Sequence, residues 1–122
     1  MGFSAGAHLA VNTMLSATTQ EETPNFLAPI YVYAGDLDLS DLGSKAKAAG
    51  AATFIAGASD DSTTPPTQAW AVYEALHGAD VPVELHLFER GGHGFGLAKA
   101  KGPVRAWTHL CEDWMRQHGL CD

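Results

Sequence analysis

The pentapeptide Gly2-Phe3-Ser4-Ala5-Gly6 has the pattern G-x-S-x-G and lies at the start of the sequence. This pattern predicts a nucleophile elbow, a sharp turn from a strand into a helix that exposes the serine hydroxyl at the carboxyl end of a sheet. Glycines suit such a turn because it leaves little room for Cβ atoms. A strand usually has about four to eight residues, yet only three residues precede this serine. We therefore expect the chain to be the C-terminal part of a domain.

Composition limits the classes of partner. Of the 122 residues, 46% are hydrophobic and 17% are charged, as in globular proteins. Fourteen acidic residues against 7 basic residues give a formal net charge of −7. This balance argues against nucleic acid or an anionic membrane as a partner, and no stretch approaches the roughly 18 apolar residues of a membrane span. We expect one domain over residues 1–122 that acts on a neutral or cationic substrate.

Helical and extended patterns alternate after the elbow. Helices are predicted over residues 5–18, 41–49, 65–78 and 107–119, and strands over residues 29–34, 51–56 and 83–88. The last strand alternates apolar with polar residues, so we place it near an edge of the sheet. This order predicts an α/β fold, with a parallel sheet, flanking helices and right-handed crossovers.

An acid and a histidine follow two of the predicted strands. Asp60 comes just after the strand over residues 51–56, and His93 comes just after the strand over residues 83–88. Loops at the carboxyl ends of parallel strands converge on one crevice. A serine becomes a nucleophile when a histidine takes its proton and a carboxylate fixes the histidine tautomer. Ser4, Asp60 and His93 are therefore predicted to be catalytic, in the chain order of α/β-hydrolases.

The identity of the acid stays open among three carboxylates. Asp60 ranks first, Asp61 ranks second because the sequence does not say which of the two side chains turns inward, and Asp36 ranks third. Each motif also has a purely structural interpretation: a tight glycine turn, a carboxylate that accepts backbone hydrogen bonds, and a turn histidine among glycines. The joint order of the three motifs favours the triad.

Acyl transfer also needs donors for the oxyanion of the tetrahedral intermediate. The backbone N–H of Ala5, next to the serine, is predicted to be one donor of the oxyanion hole. The second donor normally comes from a loop after an earlier strand, and no segment here matches that loop. Side chains, amides and water suffice for this chemistry, so we expect no cofactor. We also expect no metal, because the histidines and cysteines near the C-terminus have no paired-ligand spacing.

Three segments together carry a family resemblance: GFSAGAHLA at residues 2–10, the pair Asp60-Asp61 ahead of Pro65, and ELHLFERGGHGFGL at residues 84–97. They resemble the C-terminal half of the α/β-hydrolase family, and most of all its acetyl-xylan-esterase-like carboxylesterases of the BD-FAE and dienelactone-hydrolase type. The resemblance implies a nucleophile at Ser4, an acid at Asp60 and a base at His93. It also implies a small-molecule or carbohydrate ester as the substrate, with acetyl as the acyl group.

Two other hypotheses belong beside the esterase. A prolyl-oligopeptidase-type serine peptidase shares the triad order and the Asp-Asp loop. Alternatively, the chain is a truncated, catalytically silent fragment that serves as an interaction or structural unit. A sheet without its first strands leaves an open edge, so we expect a homo-oligomer or a partner chain that completes the sheet.

Overall fold

Strands and helices alternate along the chain in the computed structural model, which describes residues 1–122. The elements in chain order are β1 (Gly2–Phe3), α1 (Ala5–Ser16), β2 (Phe26–Leu27), β3 (Pro29–Ile30), α2 (Leu42–Ala49), β4 (Ala52–Ala58), α3 (Pro66–His77), β5 (Val83–Phe88) and α4 (Trp107–Gln117). A 3-10 helix over Gly102–Ala106 leads directly into α4. The predicted α/β class is confirmed.

The five strands form one sheet in which every pair is parallel. β1 pairs with β3, both β2 and β3 pair with β4, and β5 pairs with β4 on its other side. β5 therefore lies at an edge, as its alternating pattern predicted. Because the strands are parallel, their carboxyl ends share one edge of the sheet, and the loops after β1, β4 and β5 meet there.

Helices cover both faces of the sheet, and the central strand β4 shows why. All seven residues of β4 are buried, as expected for a parallel strand between two helical layers. Ile55 packs into the cluster formed with α1, α2 and α3, whereas its neighbour Phe54 packs into the cluster formed with α4. The face under α4 is rich in aromatic contacts, with Trp114 against both Phe26 and Phe54.

Helix boundaries follow the local signals in the sequence. Gly50 ends α2 in the left-handed conformation, at φ 65°, a region that glycine tolerates. Pro66 occupies the first turn of α3, where a missing N–H group is harmless. None of the helices has the length and hydropathy needed to cross a lipid bilayer.

The strand predicted over residues 29–34 is much shorter in the structure. It ends at Ile30, because Tyr31 takes a left-handed conformation at φ 37° and turns the chain out of the sheet. The amide of Tyr31 still donates to the carbonyl of Ala56 across the sheet, at 2.7 Å. A positive φ is uncommon for a residue with a bulky side chain, and Tyr31 lies next to the candidate active site described below.

The close packing of α2 against α3 yields a test with a matched control. A Cβ atom at Gly43 would lie 2.4 Å from the Ala75 carbonyl oxygen and 2.5 Å from the Ala79 Cβ atom, whereas a Cβ atom at Gly6 would meet no atom within 4 Å. We expect Gly43→Ala to lower the free energy of unfolding by about 1 to 3 kcal/mol through overpacking. Gly6→Ala should raise it by up to about 1 kcal/mol, since alanine favours helices.

Urea unfolding followed by circular dichroism measures both changes. A Gly43→Ala protein as stable as the wild type would contradict the close approach of the two helices.

Candidate active site

The predicted elbow is present at the end of β1. Ser4 has φ 51° and ψ −115°, a strained conformation for a residue with a side chain. Its amide donates to the Ile30 carbonyl at 3.0 Å, which ties the turn to β3. A Cβ atom at position 2 would lie only 2.1 Å from the Gly6 carbonyl oxygen. Glycine is therefore required at position 2, because the first turn of α1 passes directly over β1.

His93 reaches the serine from the loop after β5. Ser4 Oγ and His93 Nε2 are 2.9 Å apart. The two glycines that flank the histidine, Gly92 and Gly94, have φ values of 62° and 76°, which allow a tight loop that a side chain would strain. The Tyr31 ring meets the imidazole edge to face, at a centroid distance of 5.1 Å. The turn at Tyr31 thus packs the tyrosine ring against the imidazole of His93.

Asp61 lies on the far side of the imidazole and is buried. Its Oδ2 is 2.8 Å from His93 Nδ1, and the Thr64 hydroxyl donates to the same oxygen at 2.8 Å. Its Oδ1 accepts from the amides of Thr63 and Thr64, each at 2.8 Å. These contacts complete the geometry of a Ser-His-Asp triad.

The hydrogen bonds around Asp61 control its ionisation. Burial alone would raise the pKa of Asp61, but the Thr64 amide, the His93 ring, the Thr64 hydroxyl and the Thr63 amide together hold that pKa below its ordinary value. Donors to a carboxylate stabilise its charged form. The carboxylate beside His93 is therefore ionised at neutral pH.

The ranking of Asp60 as the partner of His93 needs correction, because Asp60 points elsewhere. Its Oδ1 accepts from the amides of Gly91 at 2.9 Å and Gly92 at 2.7 Å, so it holds the backbone of the histidine loop while Asp61 holds the ring. The sequence did contain a signal for this: Asp61 is followed by Ser-Thr-Thr. An aspartate that bonds the amides two and three residues later forms a turn that directs its side chain inward.

An open cleft of about 430 Å³ adjoins the serine. Its lining includes residues from α1, from the segment after β3 and from the segment before α3: Ser4, Ala5, His8, Tyr33, Asp36, Thr63 and Thr64. Ala5 occupies the first position of α1, where an N–H group has no carbonyl within the helix to bond. Asp36, ranked third as the acid, lies 3.5 Å from His8 Nδ1, and the structure does not bring it to His93.

Sequence reasoning missed Thr64, Tyr31 and Tyr33. Thr64 is buried beside the triad and contacts Asp61, His93 Nδ1 and the Tyr31 carbonyl. A threonine ahead of two prolines looks like an ordinary helix start, so its type alone gives little signal. The tyrosines were predicted to lie in a strand, where residues two apart share one face, so the strand pattern gave no sign that Tyr31 contacts His93 while Tyr33 lines the cleft.

Comparison with known families fits this geometry. The model of the prolyl oligopeptidase family matches residues 4–119, nearly the whole chain. The chain belongs to the prolyl oligopeptidase family. No curated protein sequence matches this family member.

Solved structures similar to this prolyl oligopeptidase family member are α/β-hydrolases. An acetyl ester-xyloside bifunctional hydrolase from Caldicellulosiruptor lactoaceticus is 27% identical, with a TM-score of 0.77 over 99% of this chain and 56% of that one. An α/β-hydrolase enzyme from a Medee basin deep-sea metagenome library is 25% identical, with a TM-score of 0.72 over 95% and 52%. A carboxylesterase from Lactobacillus plantarum, 21% identical with a TM-score of 0.76 over 99% and 58%, shows the fold alone.

The resemblance to the α/β-hydrolase family is thus confirmed. The chain spans about half the length of these solved structures.

The environment of Asp61 predicts a pH-dependent loss of stability in Asp61→Asn. Because the folded-state pKa lies below the ordinary value of 3.8, the carboxylate stabilises the fold above that pH, and this contribution disappears as the pH falls through the folded-state pKa. We expect Asp61→Asn to lower the free energy of unfolding by about 2 kcal/mol at pH 7, and by progressively less below about pH 4.

Urea unfolding at a series of pH values measures this difference. Asp113→Asn, whose side chain is 78% exposed on α4, serves as the control and should show no such pH dependence. An equal loss for Asp61→Asn at every pH would contradict the assignment.

Proposed function

We propose that this protein is a serine hydrolase that cleaves short acyl esters through an acyl-enzyme, with Ser4 as nucleophile, His93 as base and Asp61 as acid. One observation carries the proposal. A continuous line of contacts runs from Ser4 Oγ to His93 Nε2 at 2.9 Å, and from His93 Nδ1 to Asp61 Oδ2 at 2.8 Å. The three side chains come from three different strand ends, as convergence at the edge of a parallel sheet requires.

In the first half of the reaction, Ser4 Oγ attacks the ester carbonyl carbon while His93 Nε2 takes the hydroxyl proton. The tetrahedral intermediate collapses when the bond to the leaving alcohol breaks, and His93 returns the proton to that alcohol. In the second half, His93 takes a proton from water, and the resulting hydroxide attacks the acyl-enzyme. The carboxylic acid leaves, and Ser4 recovers its proton from His93.

Asp61 makes this sequence efficient by fixing the tautomer of His93. An ionised carboxylate at Nδ1 keeps the proton on that nitrogen, so the lone pair of Nε2 faces Ser4. The low pKa of Asp61 keeps this carboxylate charged at neutral pH. Its charge also stabilises the imidazolium that forms each time Nε2 takes a proton.

Ala5 would supply an oxyanion donor. Its N–H group lies at the first position of α1 and directly follows the nucleophile in sequence. The partial positive charge at a helix N-terminus adds to the effect. Loss of one such donor costs about 3 to 4 kcal/mol of transition-state stabilisation in serine hydrolases.

Short acyl esters of carbohydrates are the proposed substrates. The 27% identical protein from Caldicellulosiruptor lactoaceticus is an acetyl ester-xyloside bifunctional hydrolase. The lining of the cleft beside Ser4 includes His8, Tyr33 and Asp36, whose side chains carry groups that could form hydrogen bonds with a polar alcohol. The proposed reaction requires no cofactor.

Substitutions at the two adjacent aspartates separate their functions. We expect Ser4→Ala to abolish hydrolysis of 4-nitrophenyl acetate. Asp61→Asn should lower kcat by about 10³ to 10⁴, because it loses the tautomer control. Asp60→Asn should lower kcat by less than about tenfold, since it removes only hydrogen bonds to the Gly91 and Gly92 amides.

Initial rates under saturating ester give these ratios, and fluorophosphonate labelling locates the nucleophile. Equal losses in the two aspartate variants would overturn the assignment of Asp61. A folded protein that the fluorophosphonate leaves unmodified at Ser4 would instead favour a catalytically silent interaction or structural unit.

A serine peptidase is the second candidate, and the match of residues 4–119 to the prolyl oligopeptidase family favours it. Both activities would use the same triad, so a comparison of substrates decides between them. Each kcat/KM is divided by the rate of spontaneous hydrolysis of the same compound. We expect the resulting ratio for 4-nitrophenyl acetate to exceed that for a proline-containing dipeptide 4-nitroanilide by at least about a hundredfold. A faster anilide reaction would establish the peptidase.

A further inference from the structure

A second imidazole lies in the cleft beside the nucleophile. His8 follows Ser4 by one helical turn, and its amide donates to the Ser4 carbonyl at 3.0 Å. Its ring is stacked on the Tyr33 ring, with a centroid distance of 5.7 Å and an angle of 28° between the planes. His8 is therefore held by both the elbow helix and the segment after β3, and its ring makes no hydrogen bond to a triad residue.

The two nitrogens of His8 have different surroundings. Nδ1 is shielded from solvent and has no hydrogen-bond partner, and the nearest carboxylate oxygen, Asp36 Oδ1, is 3.5 Å away. A buried polar atom without a partner is unfavourable. The Asp36 side chain is 63% exposed, so a shift of a few tenths of an ångström would let it accept a hydrogen bond from Nδ1–H.

That pairing leaves a specific set of polar groups free. With its proton on Nδ1, His8 presents the lone pair of Nε2 as an acceptor. The second oxygen of Asp36 is also an acceptor, and the Tyr33 hydroxyl can both donate and accept. Tyr33 is 41% exposed. All three side chains line the same cleft of about 430 Å³ as Ser4 and Ala5, a volume within the usual range for small-molecule sites.

We propose that His8, Tyr33 and Asp36 form a subsite that binds hydroxyl groups on the alcohol part of the ester, so that the preferred alcohol is a sugar residue. The inference rests on the proposed function and adds the residues that select the substrate. His8 Nε2 and one Asp36 oxygen accept hydrogen bonds, and the Tyr33 hydroxyl can both donate and accept them. These groups match neighbouring hydroxyls, each of which can donate one hydrogen bond. An anionic alcohol would be repelled by Asp36, and an aliphatic alcohol could form hydrogen bonds with none of the three groups.

An ammonium group is the other ligand that a carboxylate could bind. The contact with His8 makes it less suitable here, because one oxygen of Asp36 faces the imidazole and not the cleft. The remaining acceptors, an imidazole nitrogen and a phenol oxygen, suit neutral hydroxyls as well as they suit a cation. An aminoacyl substrate distinguishes the two ligands.

The decisive experiment compares two acetate esters that differ in their alcohols. Methyl β-D-xylopyranoside monoacetate carries neighbouring hydroxyls, whereas 4-nitrophenyl acetate carries none. We expect Asp36→Asn and Tyr33→Phe each to raise KM for the xyloside about tenfold, the loss of one or two hydrogen bonds. Their kcat for the xyloside should change by much less than KM, and their kcat/KM for 4-nitrophenyl acetate should fall by less than their kcat/KM for the xyloside.

Asp38→Asn is the matched control. Asp38 lies on the same segment, and its carboxylate accepts from the Ser40 amide, but it does not line the cleft. Equal changes in KM for both esters, or no change for either, would overturn the subsite. So would an Asp36→Asn effect confined to an alanine 4-nitroanilide with a free amino group, since that result would identify an ammonium site.

Binding of methyl β-D-xyloside, which carries no ester, separates this inference from the proposed function. Saturable shifts of the His8 ring signals in NMR spectra of the wild type, weakened in Asp36→Asn, would support the subsite even in a protein that hydrolyses neither ester and resists the fluorophosphonate. The absence of such shifts in an active enzyme would overturn the subsite and leave the proposed function intact.

Discussion

The hydrogen bond between Asp61 and His93 is the interaction on which the rest of the site depends. It joins the loop after β4 to the loop after β5, and its 2.8 Å length leaves the imidazole one orientation toward Ser4. Three protein donors besides the ring stabilise the same carboxylate. Because a buried carboxylate is unfavourable without such donors, the Thr63-Thr64 turn is as necessary to the arrangement as the acid itself.

Backbone strain is concentrated at the same place. Ser4 and Tyr31 directly follow the paired strands β1 and β3, and both have positive φ values. Such conformations persist only when the surrounding structure compensates for them. The sheet hydrogen bonds of both residues and the aromatic contacts of Tyr31 with His93 and Phe95 provide that compensation. The strain places one side chain over the cleft and the other against the imidazole.

The sequence alone was sufficient to predict the fold and two of the three residues that are linked by hydrogen bonds from Ser4 through His93 to Asp61. Ser4 and His93 belong to glycine-rich motifs that follow predicted strands, and a parallel sheet brings such strand ends together whatever the details of packing. The sequence did not decide between Asp60 and Asp61, because adjacent side chains point in different directions. The conformation of the loop determines which of the two carboxylates faces His93. The early end of β3 also escaped prediction, since a β-branched and aromatic run gives no sign that Tyr31 leaves the sheet.

The adjacent aspartates place a limit on how this protein can vary. One binds the backbone amides of Gly91 and Gly92, the other binds the ring of His93, and no residue separates them. An insertion or deletion between position 59 and position 64 would therefore displace one carboxylate whenever the other kept its partner. The side chains of Ser59, Ser62 and Thr63 are exposed to solvent, so natural variants should differ in residue type at these positions while the number of residues in the segment stays constant.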